Sequence, residues 1–157
     1  MNGKTTQMPL NTDFRRRLVM HCIQMQERTY EESQKVMREA QAEANAYGQP
    51  KDRYDGFRNQ QLRKGLMTEK QAGQALGNIK ALNLIDDQLR DIAGFGSLVI
   101  TDKLVYFIAI GLGLVDFEGY RIAVISPHVP VFQSMNNKKA GDSFSFNGTV
   151  YRIKEII

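Results

Sequence analysis

The sequence predicts an α+β protein: a long antiparallel helical hairpin, then a small antiparallel β-sheet domain carrying one short helix. Three observations predict it. Residues 13–91 are rich in Gln, Glu, Arg, Ala and Met, with Pro50 as their single proline, whereas 95–157 are rich in Val, Ile, Phe, Tyr and Gly. Helix formers thus give way to strand formers. Apolar residues in the first half recur at alternating spacings of four and three. The second half is cut into short runs by turn residues. The expected organisation is a flexible N-terminus over 1–12, a hairpin over 13–93 with its tip near 47–56, and a sheet domain over 96–157. Gly94-Phe95-Gly96 marks the boundary as a helix stop and linker.

The first helix follows from the series Val19, Ile23, Gln26, Tyr30, Ser33, Met37, Ala40, Ala44, Tyr47, widened by Leu18, Cys22, Met25 and Val36. This is an amphipathic stripe with a coiled-coil seam, and Asn11 or Thr12 can cap its start. The chain breaks at Tyr47-Gly48-Gln49-Pro50. A second stripe follows: Leu62, Leu66, Ala72, Leu76, Ile79, Leu82, Ile85, Leu89, Ile92. Two helices joined by a tight turn make an antiparallel hairpin. Arms of about 35 residues would reach roughly 50 Å. Gly65, Gly73 and Gly77 each weaken the second helix by about 1 kcal/mol, unless they let the arms approach closely. Such a thin rod suits either a probe reaching into a partner or an ordinary bundle or dimerisation coiled coil.

Strands are expected over 97–101, 104–110, 114–117, 120–125, 143–147 and 150–156, with a short helix over 129–135 after Ser126-Pro127. Phe117-Glu118-Gly119 and Asn147-Gly148 read as hairpin turns, and Thr101-Asp102-Lys103 as a further turn.

Composition limits function. The chain has 157 residues, 21 basic and 17 acidic side chains and a net charge of +4, split as +3 over 1–91 and +1 over 92–157. Neither half has the strong field of a dedicated nucleic-acid binder. Arg15-Arg16-Arg17 either touches phosphates or forms a solvated helix face. One cysteine excludes an internal disulfide and suits a reducing compartment. The longest apolar run, residues 104–115, is 12 residues long, against about 20 for a membrane-spanning helix. Residues 1–11 lack the apolar core of a secretory signal. A cytoplasmic protein with no membrane partner is expected. His21 and Cys22 are adjacent on a helix and do not face each other, and His128 has no sequence-local carboxylate. No phosphate loop, metal-spaced histidine pair or nucleophile elbow is present. A self-contained active site is therefore not expected.

One constellation remains, Asp52-Arg53-Tyr54-Asp55 at the start of the second helix. Carboxylates three apart share a helix face and can hold a hard cation such as Mg²⁺. Equally, Asp52 can cap the helix and Asp55 can complete a capping box.

Several segments resemble the GreA/GreB transcript-cleavage factor family, in its GreA-like, Bacteroidetes-type form. Phe95-Gly96-Ser97-Leu98-Val99 is similar to the entry of that family's C-terminal domain. Ile125-Ser126-Pro127, a short helix and Lys138-Lys139-Ala140-Gly141-Asp142 resemble its Ser-Pro…Gly-Lys-Lys-Val-Gly-Asp segment. Residues 147–156, Asn-Gly-Thr-Val-Tyr-Arg-Ile-Lys-Glu-Ile, resemble its closing hairpin. The resemblance implies an FKBP-like C-terminal domain that docks on RNA polymerase, with Ser126 and Pro127 at the contact. It implies that the hairpin enters the polymerase secondary channel, where Asp52 and Asp55 help hold a Mg²⁺ shared with polymerase. The polymerase then cleaves its own backtracked RNA. Lys51, Arg53, Arg58 and Arg63 would face the nascent RNA 3′ segment. The free protein would be a monomer without cofactor and not itself an enzyme. The family's tip reads Asp-x-Ser-Glu-Asn. This chain has Asp55 in place of the Glu, Arg53-Tyr54 between the acids, and Ile125 where many members carry an acid. Two alternatives follow: a channel-binding regulator that does not cleave, and an FKBP-like binding or prolyl-isomerase module with Tyr106, Phe107 and Phe132 lining its pocket.

Overall fold

The computed structural model describes residues 8–46 and 52–157, with side chains throughout except at 44, 52–58, 61, 62 and 64. Part of the expected flexible N-terminus (1–7), the break at Tyr47-Gly48-Gln49-Pro50 and Lys51 lie outside the described residues. The elements are α1 (Thr12–Ala46), α2 (Asp52–Asn83), β1 (Leu98–Thr101), β2 (Val105–Ile108), β3 (Gly113–Phe117), β4 (Tyr120–Ile125), α3 (Pro130–Met135), β5 (Ser143–Phe146) and β6 (Thr149–Ile156). The α+β class is as expected. The chain divides into two compact units, one made of Met1–His21 with Ala81–Ile157, the other of Cys22–Lys80.

In the first unit the strand order is β3-β4-β2-β1-β6-β5. The sheet is mixed rather than purely antiparallel. β2 pairs with β4 in parallel, because β3 crosses to the outer edge before β4 returns beside β2. The other pairings are antiparallel. Side chains alternate along a strand, so paired residues sort into two faces. Val99, Tyr106, Ile108, Ala123, Ile153 and Phe144 form one core with Phe132 and Met135 of α3. Leu98, Phe107 and Val124 are in register on the opposite face, as are Val105, Ile122 and Val115. There the ring of Phe14, from the first turn of α1, packs edge-on to Phe117 and Tyr120 at 5.5 and 5.4 Å.

Both expected hairpin turns form. Glu118-Gly119 and Asn147-Gly148 have positive φ at both residues, the backbone that a two-residue hairpin needs to match strand twist. Gly96 is favoured by its backbone as well. Its φ is +86°, and an added Cβ would lie 2.8 Å from the Arg90 guanidinium.

α1 starts as expected, with the Asn11 side-chain oxygen accepting from the Phe14 amide at 2.8 Å. α2 ends at Asn83, not near Ile92 as its leucine spacing suggests. Leu84 and Ile85 donate to the carbonyls three residues back, tightening the last turn. Asp86 then accepts from the Gln88 amide and from Arg90. The Arg15 guanidinium donates to the carbonyls of Asp86 and Gln88 at 3.1 and 2.6 Å. These partners satisfy the backbone outside a helix, and Ile92 bridges Lys139 instead.

Of Arg15, Arg16 and Arg17, only Arg16 lies on a solvated face. Arg15 is buried, Arg16 pairs with Asp13 and Asp87, and Arg17 pairs with Glu118.

In the second unit α1 and α2 run antiparallel. Gln26 meets Asn78, while Ser33 and Val36 share a groove with Thr68 and Gln71. The buried seam holds Cys22, Gln26, Ser33 and Ala40 against Thr68, Ala72 and Ala75. Leu66 and Leu76, expected in it, are 64% and 42% exposed. The glycines do not bring the arms together, since a Cβ at Gly65, Gly73 or Gly77 would meet nothing within 4 Å.

Two outcomes follow. Phe107→Ala empties a fully buried site at the centre of the sheet and is expected to cost about 3–5 kcal/mol in urea unfolding. The hydrogen bond from Arg90 holds the Asp86 carboxyl below the ordinary aspartate value of 3.8. Its stabilising share is therefore present at neutral pH and lost as pH falls below that value. A carbon-detected titration should place the Asp86 midpoint below 3.8, and Arg90→Gln should move it upward.

Candidate functional site

The antiparallel course of α1 and α2 puts the end of α1, at Ala46, and the start of α2, at Asp52, at one end of the second unit. Asp52 is the first helical residue of α2, and Asp55 lies in the same turn. Carboxylates in a first turn sit at the positive end of the helix dipole. The side chains of Asp52, Arg53, Asp55 and Arg58 lie outside the described set, as does all of Lys51. Arg63 is exposed further along α2.

Ser126 and Pro127 are brought together in one turn between β4 and α3, in the first unit. The Ser126 hydroxyl accepts from the His128 amide at 3.2 Å, and the Pro127 carbonyl accepts from the Gln133 side chain at 3.2 Å. Both residues are half-buried and His128 is exposed. Pro130 at the first position of α3 lacks an amide hydrogen that a helix start cannot use.

The aromatic candidates for an isomerase pocket are core residues. Phe107, Tyr106 and Phe132 are 0%, 4% and 5% exposed. Tyr106 and Phe144 meet edge-on, and Phe144 stacks on Tyr151 at 5.0 Å. Burial, then a hydrogen bond with Tyr151, pushes the Tyr106 phenol well above the ordinary tyrosine range. No ring of this trio is left free to line a proline site.

Other reactive groups are also occupied. His21 stacks on Phe117 at 4.8 Å. Cys22 is fully buried, and burial pushes its thiol up to about 12. Among the described residues, no group of three or more His, Cys, Asp or Glu side chains is placed to hold a metal. Among them, no helix is long and apolar enough to cross a membrane.

The sequence reading missed two features of the rod: the exposed leucines of α2 and the Gln26–Asn78 hydrogen bond. A signal for the second was visible, since Gln26 is one of two polar residues, with Ser33, in the stripe.

A thiol held near 12 is almost entirely protonated at pH 8 and is screened from solvent. Cys22 is therefore expected not to react with a chromogenic disulfide reagent in the native protein. It should react fully once the chain is unfolded.

No protein-family model matches the chain, and no curated protein matches it significantly. It is similar to a solved structure, that of the transcription factor Gfh1, at 16% identity over 96% of this chain and 97% of that one, with a TM-score of 0.33.

Proposed function

We propose that this chain is a transcription factor of the Gre type. In this reading it binds RNA polymerase through the secondary channel and stimulates the polymerase's own cleavage of backtracked RNA. The observation that carries the reading is the place of Asp52 and Asp55. α2 begins at Asp52, so the pair occupies the first turn at the end of an antiparallel hairpin, where a rod would present them to a partner. The Ser126-Pro127 turn, the Lys138–Asp142 run and the Asn147-Gly148 hairpin support it from the sheet unit, because these segments carry the resemblance to the family.

The donor set suits the implied ion. Carboxylate oxygens are the right class for Mg²⁺, and two residues leave most of an octahedral shell to be filled by polymerase and water. When held there, Mg²⁺ would neutralise charge developing on the phosphate being cleaved. Asp52 and Asp55 lend ligands, and Lys51, Arg53, Arg58 and Arg63 balance the charge of the RNA 3′ segment. Ser126 and Pro127 contact polymerase. The partners are RNA polymerase and nascent RNA, the factor acts as a cytoplasmic monomer, and it holds no cofactor when free.

A second reading is favoured by a specific feature. Asp55 is one methylene shorter than the family's Glu, and Mg²⁺ tolerates little geometric error. In that reading the rod enters the channel and modulates transcription without promoting cleavage.

The test is transcript cleavage by a backtracked complex of the cognate polymerase at fixed Mg²⁺. The wild-type chain is expected to accelerate cleavage, and Asp52→Asn with Asp55→Asn to return it to the factor-free rate. Polymerase binding with no acceleration by the wild type would establish the non-cleaving regulator instead.

A further inference from the structure

Four exposed residues of α2, Glu69, Gly73, Leu76 and Lys80, follow one another at spacings of four, three and four. At 3.6 residues per turn they fall within about 60° of each other and make one stripe along the helix. The stripe lies roughly a third of a turn from the buried Thr68, Ala72 and Ala75. Its spacing is that of a coiled-coil seam. All four residues belong to the unit Cys22–Lys80.

The rest of the chain does not account for these residues. Leu76 is 42% exposed. Gly73 weakens a helix interior, and an added Cβ there would meet nothing within 4 Å, so no neighbour in the chain requires it. Among the described residues, neither Glu69 nor Lys80 has an ion-pair partner.

The order of the four is its own complement. A two-fold axis crossing α2 midway between Gln74 and Ala75 exchanges Glu69 with Lys80 and Gly73 with Leu76. In an antiparallel pair of α2 helices, each Leu76 faces the gap at Gly73 of the second copy. Each Glu69 faces Lys80 of the second copy. Size and charge are thus matched by one operation, as an isologous interface requires. A parallel pair would instead set Glu69 against Glu69 and Lys80 against Lys80.

We propose that this stripe is a self-association surface, and that its occupant is the same stripe of a second copy of this chain, running antiparallel. Leu76 and Gly73 supply the packing. Exposed ion pairs contribute little energy, so Glu69 and Lys80 set the orientation instead. The contact is short, and the dimer belongs to the weak, reversible class. The inference does not rest on the proposed function, in which the chain acts as a monomer. Association gives that monomer a second form in which this face of α2 is covered.

Sedimentation equilibrium of the full chain at concentrations up to roughly 1 mM reads the association. The wild-type chain should move from monomer toward dimer mass as concentration rises. Glu69→Lys alone sets lysine against lysine at both ends, and Lys80→Glu alone sets glutamate against glutamate. Each should stay monomeric. An equimolar mixture of these two variants again places glutamate opposite lysine at both ends, and should form a dimer with one chain of each. Recovery in the mixture shows that the separate losses are not losses of fold. Leu76→Gln removes the apolar knob and should also stay monomeric.

A wild-type chain that is monomeric throughout assigns the stripe to solvent or to a different protein, and overturns the proposal. A single charge variant that still dimerises overturns it too, as does a mixture that stays monomeric. So does a wild-type assembly larger than two, because a two-fold register closes at a pair.

Discussion

The structure depends on β2 being buried on both faces. Val105, Tyr106, Phe107 and Ile108 are all buried, so the sheet must be covered twice. α3 covers the face of Tyr106 and Ile108. The other face is met by Phe14 at the start of α1, and the Arg17–Glu118 pair ties the same helix to the β3–β4 turn. A helix that would serve only as one arm of a rod is thereby recruited into a core. This is why the division of the chain falls at His21 rather than between the rod and the sheet.

The return of the chain is governed by one buried cation. Arg15 donates to two main-chain carbonyls of the segment after α2, those of Asp86 and Gln88. Its Nη1 is buried without a partner, and burial, reinforced by Arg90, lowers its pKa. Leaving such a donor unsatisfied costs about 1–3 kcal/mol. That cost is set against two charge-assisted bonds, each stronger than a neutral one, and against the ordering of a segment that carries no regular structure.

Much of the sheet unit was legible because its signals are local. Asn147-Gly148 and Glu118-Gly119 dictate turns whatever lies around them, and the strands between them have little choice of length. Other features depend on what a residue meets in space. The leucine spacing continues through Ile85, Leu89 and Ile92, but the helix stops where Arg15 reaches in from 71 and 73 residues away and Asp86 accepts from Gln88 and Arg90. The parallel pairing of β2 with β4 is a property of the crossover, which leaves no mark in residue type. Of the expected α2 stripe, Ala72 and Leu82 are buried, whereas Leu66 and Leu76 are exposed, because periodicity rewards large apolar residues while the seam between the arms takes Thr68 and Ala75. In the candidate site, the position of Asp52 and Asp55 at a helix start was readable from Pro50 and the stripe that follows it. The structural duties of Arg15 and Arg17 were not, because each partner is distant in sequence.

The point at which α1 leaves the sheet unit and the point at which α2 rejoins it, His21 and Ala81, belong to one folded body. The residues between them form an insertion whose two arms need only match each other. Whole heptads removed from both arms, or added to both, preserve the seam's repeat and leave every strand untouched. Reach is thus a quantity this architecture can vary by itself. The length of the paired arms can be set in steps of about 10 Å per heptad, without renegotiating the core of the sheet unit.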